Sequence, residues 1–295
     1  MKAVLISSIP LPYYKIGSWT IRYTELITSK QNPFEYVICP KNNGKINDSN
    51  LKYLFAKRYK KELFFKLFYK YSYYFFLKQL KRLLKKEEQL VIYIIDNVKL
   101  LHDVHDYLVN KKVRNKCKII FNSCGYSYFF NAAEGIKFYD KIDHIIYSTY
   151  QAYQFELNRF SYIASKVSII PNGIDSSKFY KISKEKITVV KKQLGYENKE
   201  IVLWVSQERP KKGLLIFLEA WKKSKLYSNQ NYVLLIIGTS QNQKENNIHF
   251  LGKTDNNNLP KYYQSADYYF FTTLVHEGFG LSLGEALKCG ATSFS

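Results

Sequence analysis

The chain has 295 residues, of which 46% are hydrophobic, so it can bury a sizeable core and its length favours two domains over one. This composition excludes a disordered chain, and the lack of any apolar run of about 18 residues argues against a membrane-spanning helix. The 45 basic residues outnumber the 24 acidic ones, and the formal net charge of +21 indicates an anionic partner. A sugar nucleotide, a membrane surface and a nucleic acid all satisfy that requirement.

The amino-terminal residues predict a first strand and no secretory signal. Pro10 and Pro12 would interrupt the apolar core of a signal peptide, so residues 1–9 are interpreted as the start of the fold and the protein is expected in the cytoplasm. The four cysteines form no CxxC pair, which is typical of reduced thiols and argues against a disulfide framework or a zinc site. These residues are Cys39, Cys117, Cys124 and Cys289.

Short apolar runs rich in β-branched residues alternate with helical stretches, a pattern typical of βαβ units around a buried parallel sheet. A first series covers residues 3–7, 35–39, 90–95, 118–122, 144–148 and 167–170. A second series covers residues 201–206, 232–238, 248–252 and 267–273. The sequence therefore predicts an α/β chain with two doubly wound, Rossmann-like domains. The turn cluster PNGID at 171–175 gives domains of residues 1–170 and 171–295.

The segment 57–86 is strongly basic, with eleven Lys and Arg residues against the single acid Glu62. At about 100° per residue, one lysine-free helical face is predicted to pack on the sheet. That face consists of Phe65, Tyr69, Phe76, Leu80 and Leu83. The remaining surface mixes basic and aromatic side chains, which is typical of a helix at a lipid interface. Its members are Lys66, Lys70, Lys78, Lys81 and Arg82 with Phe64, Phe68, Tyr71, Tyr74 and Phe75.

Two alternatives to membrane contact remain for this segment. It could be an ordinary surface helix whose extra aromatic residues pack under neighbouring loops. Nucleic acid also accepts basic residues interleaved with aromatic ones, but no nucleic-acid-binding motif accompanies the charge, so none is expected as a partner. An anionic membrane surface is the partner that the segment 57–86 predicts.

The segment LVHEGFGLSLGEALKCG at 274–290 carries the clearest chemical signal. Gly278 and Gly280 allow the backbone to approach a ligand closely, and a helix that starts near Leu281 offers free amides to a phosphate. A diphosphate suits that arrangement. Glu277 precedes the turn and Glu285 lies one turn into the helix, where carboxylates could accept hydrogen bonds from sugar hydroxyls.

EGFGLSLGEAL resembles the motif of Glu, seven residues and Glu found in retaining glycosyltransferases of family 4. Four further segments are similar to that family in order and spacing, so that the resemblance covers about residues 165–290. They are PNGID at 171–175, VSQERPKKGLLIFLEAW at 205–221, LLIIG at 234–238 and NIHFLGKTD at 247–255. The resemblance implies the GT-B fold, in which the second domain binds a nucleotide-diphosphate sugar and the first domain an acceptor.

The resemblance also implies roles for residues of the second domain. Lys212 would pair with the donor diphosphate, Glu277 would contact the transferring sugar and Glu285 the ribose hydroxyls. The amides of the glycine-rich turn would cradle phosphate or sugar, and the loops after two further strands would border the nucleobase. These positions are Gly278, Phe279, Gly280, Leu281, Gly238, Gly252 and Lys253. The family has a Gly-Arg pair where this chain has Ser206 and Gln207, and Arg209 is the candidate replacement for that guanidinium.

The first domain departs further from the family pattern. Gly17 opens a helix after the first strand where the family has a glycine pair, and Ser123 or Cys124 occupies the place of a family histidine. Asp96 directly follows the apolar run 90–95 and could face the acceptor or cap a helix; the two interpretations are equally good.

The histidines do not assemble a metal site from the sequence alone. His102 and His105 share one helix turn, but two ligands do not make a site. His276 stands beside Glu277 and could act near the sugar, whereas His144 and His249 lie within strands, where such residues more often fill cores. Neither a metal nor a cofactor is expected.

The resemblance thus implies transfer of a sugar, with retention, to a glycan or lipid-linked acceptor in cell-surface polysaccharide biosynthesis. The family continues beyond ATSFS at 291–295 with another strand and further helices, so the second domain is predicted to be incomplete at its carboxyl end. One alternative is a truncated, non-catalytic remnant that binds a nucleotide sugar. A dinucleotide-dependent enzyme is the other, although no GxGxxG follows any predicted strand.

Overall fold

The computed structural model describes residues 1–13, 18–41, 51–57, 70–125, 131–160, 163, 165–275 and 277–295. The chain divides into two compact units, Met1–Asn172 and Gly173–Ser295, here called unit 1 and unit 2. The sequence predicts the boundary before Pro171, and the structure divides the chain two residues later.

Unit 1 is built on a parallel sheet whose described strands run in the order β3-β2-β1-β4-β5-β6-β7. These strands are β1 (Lys2–Ile6), β2 (Tyr36–Cys39), β3 (Lys52–Phe55), β4 (Leu90–Ile95), β5 (Cys117–Ser123), β6 (His144–Tyr147) and β7 (Lys166–Ile169). The helices are α1 (Ser18–Thr28), α2 (Tyr74–Leu84), α3 (Val98–Asn110), α4 (Ala132–Tyr139) and α5 (Tyr150–Phe160). Strands β1 to β3 follow one another toward one side of the sheet and β4 to β7 toward the other, so the topological switch point lies between β1 and β4.

Unit 2 has a second sheet in the order β10-β11-β9-β8-β12-β13, in which only β10 among the described strands is antiparallel to its neighbour. Its strands are β8 (Glu200–Val205), β9 (Tyr232–Ile237), β10 (Asn242–Glu245), β11 (Ile248–Leu251), β12 (Tyr268–Phe270) and β13 (Thr292–Phe294). Its helices are α6 (Lys184–Leu194), α7 (Leu214–Lys223), α8 (Leu259–Ser265) and α9 (Leu281–Cys289). The predicted α/β class with parallel sheets is confirmed.

Each sheet is covered on both faces, which explains why its central strands are continuous apolar runs. Along β8, Leu203 enters the core cluster on one face, and Val202 and Trp204 enter the cluster on the other. In unit 1, Val4 and Leu5 divide in the same way between two clusters. Every strand predicted from a buried apolar run is present in the structure.

Three strands were not predicted, and each forms an edge of its sheet. β3 has no fully buried residue, β10 is exposed throughout, and β13 consists of only three residues. Such segments become strands by pairing with a neighbour that is already in place, so the sequence carries no periodic signal for them. Residues 292–294, for which the sequence predicts no element, pair in parallel with β12.

The basic segment only partly matches its prediction. Residues 58–69, including Phe64, Phe65, Lys66, Phe68 and Tyr69, lie outside the described residues. On α2, Phe76, Leu80 and Leu83 are buried, which confirms the predicted lysine-free face for these positions. The basic side chains Lys78, Lys81 and Arg82 are exposed.

The aromatic residues of this segment behave differently from the lysines. Tyr71 and Phe75 pack against the core of unit 1, so the interpretation of these two rings as lipid-facing is wrong. The physical reason is that α2 begins only at Tyr74 and the residues just before it are held against α3. Asp103 accepts the Tyr73 amide at 2.7 Å, and the Tyr71 hydroxyl accepts from the Asn110 side chain at 2.7 Å. Tyr74 remains 37% exposed. In the described part of the chain, no helix combines the length and the apolar character needed to cross a membrane.

Candidate functional site

Most predicted site residues of unit 2 lie in the loops that follow the carboxyl ends of its strands. β8 and β12 are neighbours, and the chain proceeds from β8 toward β9 on one side and reaches β12 and β13 on the other. In an open parallel sheet, a ligand crevice forms beyond the carboxyl ends of the strands at such a reversal. The loops after β8 and β12 therefore occupy the place where chemistry is expected.

Lys212 ends a short 3₁₀ turn, Pro210–Lys212, that follows β8. The next residue, Gly213, has φ +70°, and a Cβ on it would lie 2.0 Å from the carbonyl oxygen of Thr272. Only glycine fits that position, because both the left-handed backbone and the space exclude a side chain. Gly213 thus lets the turn that carries Lys212 lie directly against the chain that leaves β12.

Lys212 and Glu277 form an ion pair between the Nζ and Oε1 atoms. The two side chains are 18% and 25% exposed, so the pair is partly shielded from solvent. The ammonium group also lies 6.0 Å from the centroid of the Phe271 ring. The structure therefore brings together the two residues that the sequence predicts for diphosphate and for sugar, one from each side of the reversal.

Two successive threonines contact the ion pair: Thr272 contacts the backbone of Lys212, and Thr273 contacts the carboxylate of Glu277. The Thr272 hydroxyl donates to the carbonyl of Lys212 at 2.9 Å and accepts from the indole N–H of Trp204 at 3.0 Å. The Thr273 hydroxyl lies 3.1 Å from Oε1 of Glu277. Neither threonine is predicted from the sequence motif. Their position directly after a strand of the buried sheet is the signal that could have identified them.

The glycine-rich turn precedes α9 as predicted. Gly278 is buried, Phe279 is partly buried, and Gly280 adopts φ +71° immediately before Leu281, the first residue of the helix. Because Gly280 has no side chain, no cap covers the first amides of α9 from that position. These amides and the positive end of the helix dipole can accept an anion.

Glu285 lies on α9, four residues after its first residue, and is partly buried. Its carboxylate is close to the buried Tyr263: burial raises the pKa of Tyr263 most, and the neighbouring Tyr269 and Glu285 raise it further. Burial raises the pKa of Tyr269, and the carboxylates of Glu285 and Glu277 raise it further, so Glu285 lies at the same end of unit 2 as the ion pair. Glu285 already interacts with protein groups.

The loops after β8, β9 and β11 are joined by one backbone hydrogen bond and by the Glu208 side chain. Gly238 has φ +103°, its amide donates to the carbonyl of Gly252 at 2.8 Å, and a Cβ on it would lie 2.0 Å from the carbonyl oxygen of Ser206. Glu208 accepts the amide and hydroxyl of Ser240 at 2.9 and 2.7 Å. These hydrogen bonds lower the pKa of Glu208, and nearby Lys253 adds to the effect.

Arg209 and Lys253, two further predicted donor residues, are exposed. Arg209 precedes the 3₁₀ turn, and its carbonyl accepts the amide of Lys212 at 2.9 Å. Its backbone thus shapes the turn, and its guanidinium role stays a prediction.

The predicted residues of unit 1 are less coherent. Gly17 lies outside the described residues. Ser123 ends β5, is buried, and donates to the carbonyl of Gly125 at 3.3 Å. Asp96 follows β4 in a left-handed conformation, φ 44°, and its carboxylate accepts the amide of Cys124 at 3.1 Å.

The interpretation of Asp96 as a helix cap is wrong, because the N-cap of α3 is Asn97. The Asn97 side chain accepts the amide of Leu100 at 2.9 Å, which is the geometry of an N-cap. The carboxylate of Asp96 instead tethers the chain that follows β5.

The histidines contribute no metal site in the part of the chain that the structure describes. His102 and His105 lie on α3, His144 contacts the Ser168 hydroxyl at 2.8 Å, and His249 contacts the Tyr196 hydroxyl at 3.0 Å. His276 is outside the described residues.

The family model of the glycosyl transferases group 1 matches residues 185–292, which is most of unit 2. The match includes the loop with Lys212, the glycine-rich turn and α9. None of the curated proteins matches the chain in sequence.

Solved structures resemble the described chain over nearly its full length. Anabaena HepE in complex with UDP and glucose has a TM-score of 0.69 at 15% identity, over 99% of this chain and 80% of that one. Sucrose-phosphate synthase from Thermosynechococcus elongatus has a TM-score of 0.73 at 17% identity, with the same coverage. WaaG, a glycosyltransferase involved in lipopolysaccharide biosynthesis, has a TM-score of 0.62 at 12% identity, again over 99% and 80%. At such identities the likeness shows the fold, which is GT-B with two Rossmann-like domains.

Proposed function

We propose that the protein is a glycosyltransferase that takes a sugar from a nucleotide-diphosphate sugar bound to unit 2. The Lys212–Glu277 ion pair beside the uncapped start of α9 carries this proposal. It places a cation, a carboxylate and backbone amides at the reversal of the sheet, a set that suits a diphosphate attached to a sugar. The glycosyl transferases group 1 match over the same residues and the UDP in the HepE structure support it.

Within this proposal, Lys212 and the first amides of α9 stabilise the charge that develops on the leaving diphosphate, with Arg209 as a further cation. Preorganised charges and dipoles of this kind lower the barrier without reorganising in the transition state. Glu277 contacts the transferring sugar, and Glu285 the ribose. Family 4 membership and retention of configuration are part of the proposal and rest on the motif from Glu277 to Glu285.

The donor is tested by calorimetric titration of the full chain with UDP- and GDP-sugars, with NAD as a dinucleotide control. Saturable binding of one sugar nucleotide, and none of NAD, is the expected result. Binding of NAD alone would support the dinucleotide-dependent alternative and would sink the proposed donor site.

Replacing Glu285 by Gln is expected to weaken binding of the free nucleoside diphosphate about tenfold, because a carboxylate accepts stronger hydrogen bonds from ribose hydroxyls than an amide does. The matched control is Glu219→Gln on the exposed side of α7. Equal affinities of the Glu285 variant and the control, measured by calorimetry, would remove Glu285 from the donor site.

Unit 1 is assigned to the acceptor in this proposal. The candidate contacts are Asp96, directly after β4, and Ser123, the last residue of the neighbouring β5. The exposed basic residues of α2 favour a lipid-linked glycan held near an anionic membrane, in the synthesis of a cell-surface polysaccharide at the inner face of the membrane. Since Tyr71 and Phe75 pack inward, attraction of this surface to lipid would be mainly electrostatic.

Replacing Lys78, Lys81 and Lys85 by Gln is expected to reduce sedimentation of the protein with anionic vesicles. Each basic residue near such a surface contributes about 1 kcal/mol, so the loss should reach about a hundredfold in partition coefficient and should be mimicked by added salt. A triple change of the exposed Lys184, Lys186 and Lys225 in unit 2 provides the control. Wild-type protein that ignores anionic vesicles at low salt would contradict the membrane assignment.

A further inference from the structure

The two threonines after β12 are connected to the ion pair in different ways. Thr272 reaches the backbone of Lys212, whereas Thr273 reaches the carboxylate of Glu277. Neither was predicted from the motif, and both precede its first glutamate in the chain. Their separate contacts suggest separate tasks.

The directions of the Thr272 hydrogen bonds are fixed by chemistry. An indole N–H can only donate and a carbonyl can only accept, so the hydroxyl must accept from Trp204 and give its proton to Lys212. Trp204 is 1% exposed on β8, in the apolar cluster beneath the site. The Thr272 hydroxyl therefore gives its one proton to the Lys212 carbonyl and links that carbonyl to the Trp204 indole.

The Thr273 hydroxyl has one proton and three acceptors within reach. Oε1 of Glu277 is the nearest at 3.1 Å, ahead of the carbonyls of Val275 at 3.3 Å and Lys211 at 3.4 Å. A hydrogen bond to an ionised carboxylate is also the strongest of the three. Thr273 therefore orients the Glu277 carboxylate.

We propose that Thr272 and Thr273 are positioning residues that hold the two partners of the ion pair independently, Thr272 by anchoring the Lys212 turn to Trp204 and Thr273 by orienting Glu277. This inference rests on the proposed donor site. It assigns Thr272 to nucleotide affinity and Thr273 to transfer of the sugar.

The test compares each threonine with its isosteric and its conservative variant. Thr272→Val should weaken binding of the nucleoside diphosphate about tenfold, and Thr272→Ser should bind it as the wild type does. Trp204→Phe should also weaken binding, and the double variant with Thr272→Val should lose no more affinity than Thr272→Val alone. Thr273→Val should lower kcat about tenfold at unchanged nucleotide affinity, with rescue by Thr273→Ser. Thr188→Val, on the exposed face of α6, is the control.

Affinities are measured well below the thermal midpoint of every variant, so that a lowered melting temperature alone does not move them. If Thr272→Val folds and binds the nucleotide normally, the role of Thr272 is overturned. Lys212→Ala tests the donor site separately, because its loss of affinity does not depend on Thr272. If Thr272→Val does not fold, Trp204→Phe with full affinity overturns that role instead. Equal effects of Thr272→Val and Thr273→Val on affinity would contradict the division of tasks, and wild-type protein that binds no nucleotide overturns the proposed function itself.

Discussion

Replacing Lys212 by Ala is expected to reduce affinity for the nucleoside diphosphate by about 10- to 150-fold. A charge-assisted contact in a partly shielded site contributes about 1.5–3 kcal/mol, and each 1.4 kcal/mol is about tenfold. The change also leaves the carboxylate of Glu277 without its counterion beside the bound diphosphate, so the loss should fall at the upper end. Calorimetric titration with the nucleotide that binds the wild type measures it directly.

Lys211→Ala is the matched control for this experiment. Lys211 is the preceding residue of the same turn and is exposed, and its carbonyl accepts the amide of Leu274 at 2.8 Å, a contact that alanine keeps. We expect near wild-type affinity for this variant. If the Lys211 and Lys212 variants lose affinity equally, the effect is general surface charge, and the assignment of Lys212 to the diphosphate fails.

Replacing Glu277 by Gln is expected to separate binding from chemistry. The carboxylate neutralises Lys212 in the ligand-free chain and would repel a diphosphate, so the amide should leave nucleotide affinity unchanged or raise it several-fold. Transfer of the sugar should fall by about 100-fold, the usual scale for removing one group that stabilises transition-state charge. Affinity is measured by calorimetry and transfer by nucleotide release.

Glu219→Gln again serves as the control for charge, because Glu219 is exposed on α7. A Glu277→Gln chain with weakened nucleotide affinity and normal turnover would reverse the roles assigned to the ion pair. A folded variant in which both quantities are normal would exclude Glu277 from the site.

The sequence predicted the sheets well where burial dictates residue type. β8 and β9 are apolar on both faces and could be predicted from their continuous apolar runs, whereas β10 is a polar strand that forms by pairing with β11. The same contrast applies to α2, whose buried face followed from periodicity. The inward packing of Tyr71 depends on the start of α2 at Tyr74, and that start is set by tertiary contacts that the local sequence does not reveal.

For the candidate site, the motif indicated Lys212 and Glu277 but not their contact. They are 65 residues apart, and only the adjacency of β8 and β12 brings them together. Thr272 and Thr273 escaped notice because a threonine after a strand is common and its hydroxyl gains meaning only from the atoms around it. The sequence could not separate Asp96 from Asn97 as the N-cap of α3, because Asp and Asn are both favoured there and the two residues are adjacent.

Sugar transfer by the wild-type chain is the decisive measurement for the proposed glycosyltransferase activity. The sugar nucleotide that binds is supplied with label in the sugar, together with anionic vesicles that contain a bacterial lipid extract, and free nucleoside diphosphate and labelled product are measured. We expect release of nucleoside diphosphate with transfer of label to the lipid fraction, both lost in Lys212→Ala and both kept in Lys211→Ala. Tight binding of the sugar nucleotide with no release above the Lys212→Ala background would contradict this activity and would identify the protein as a binding module.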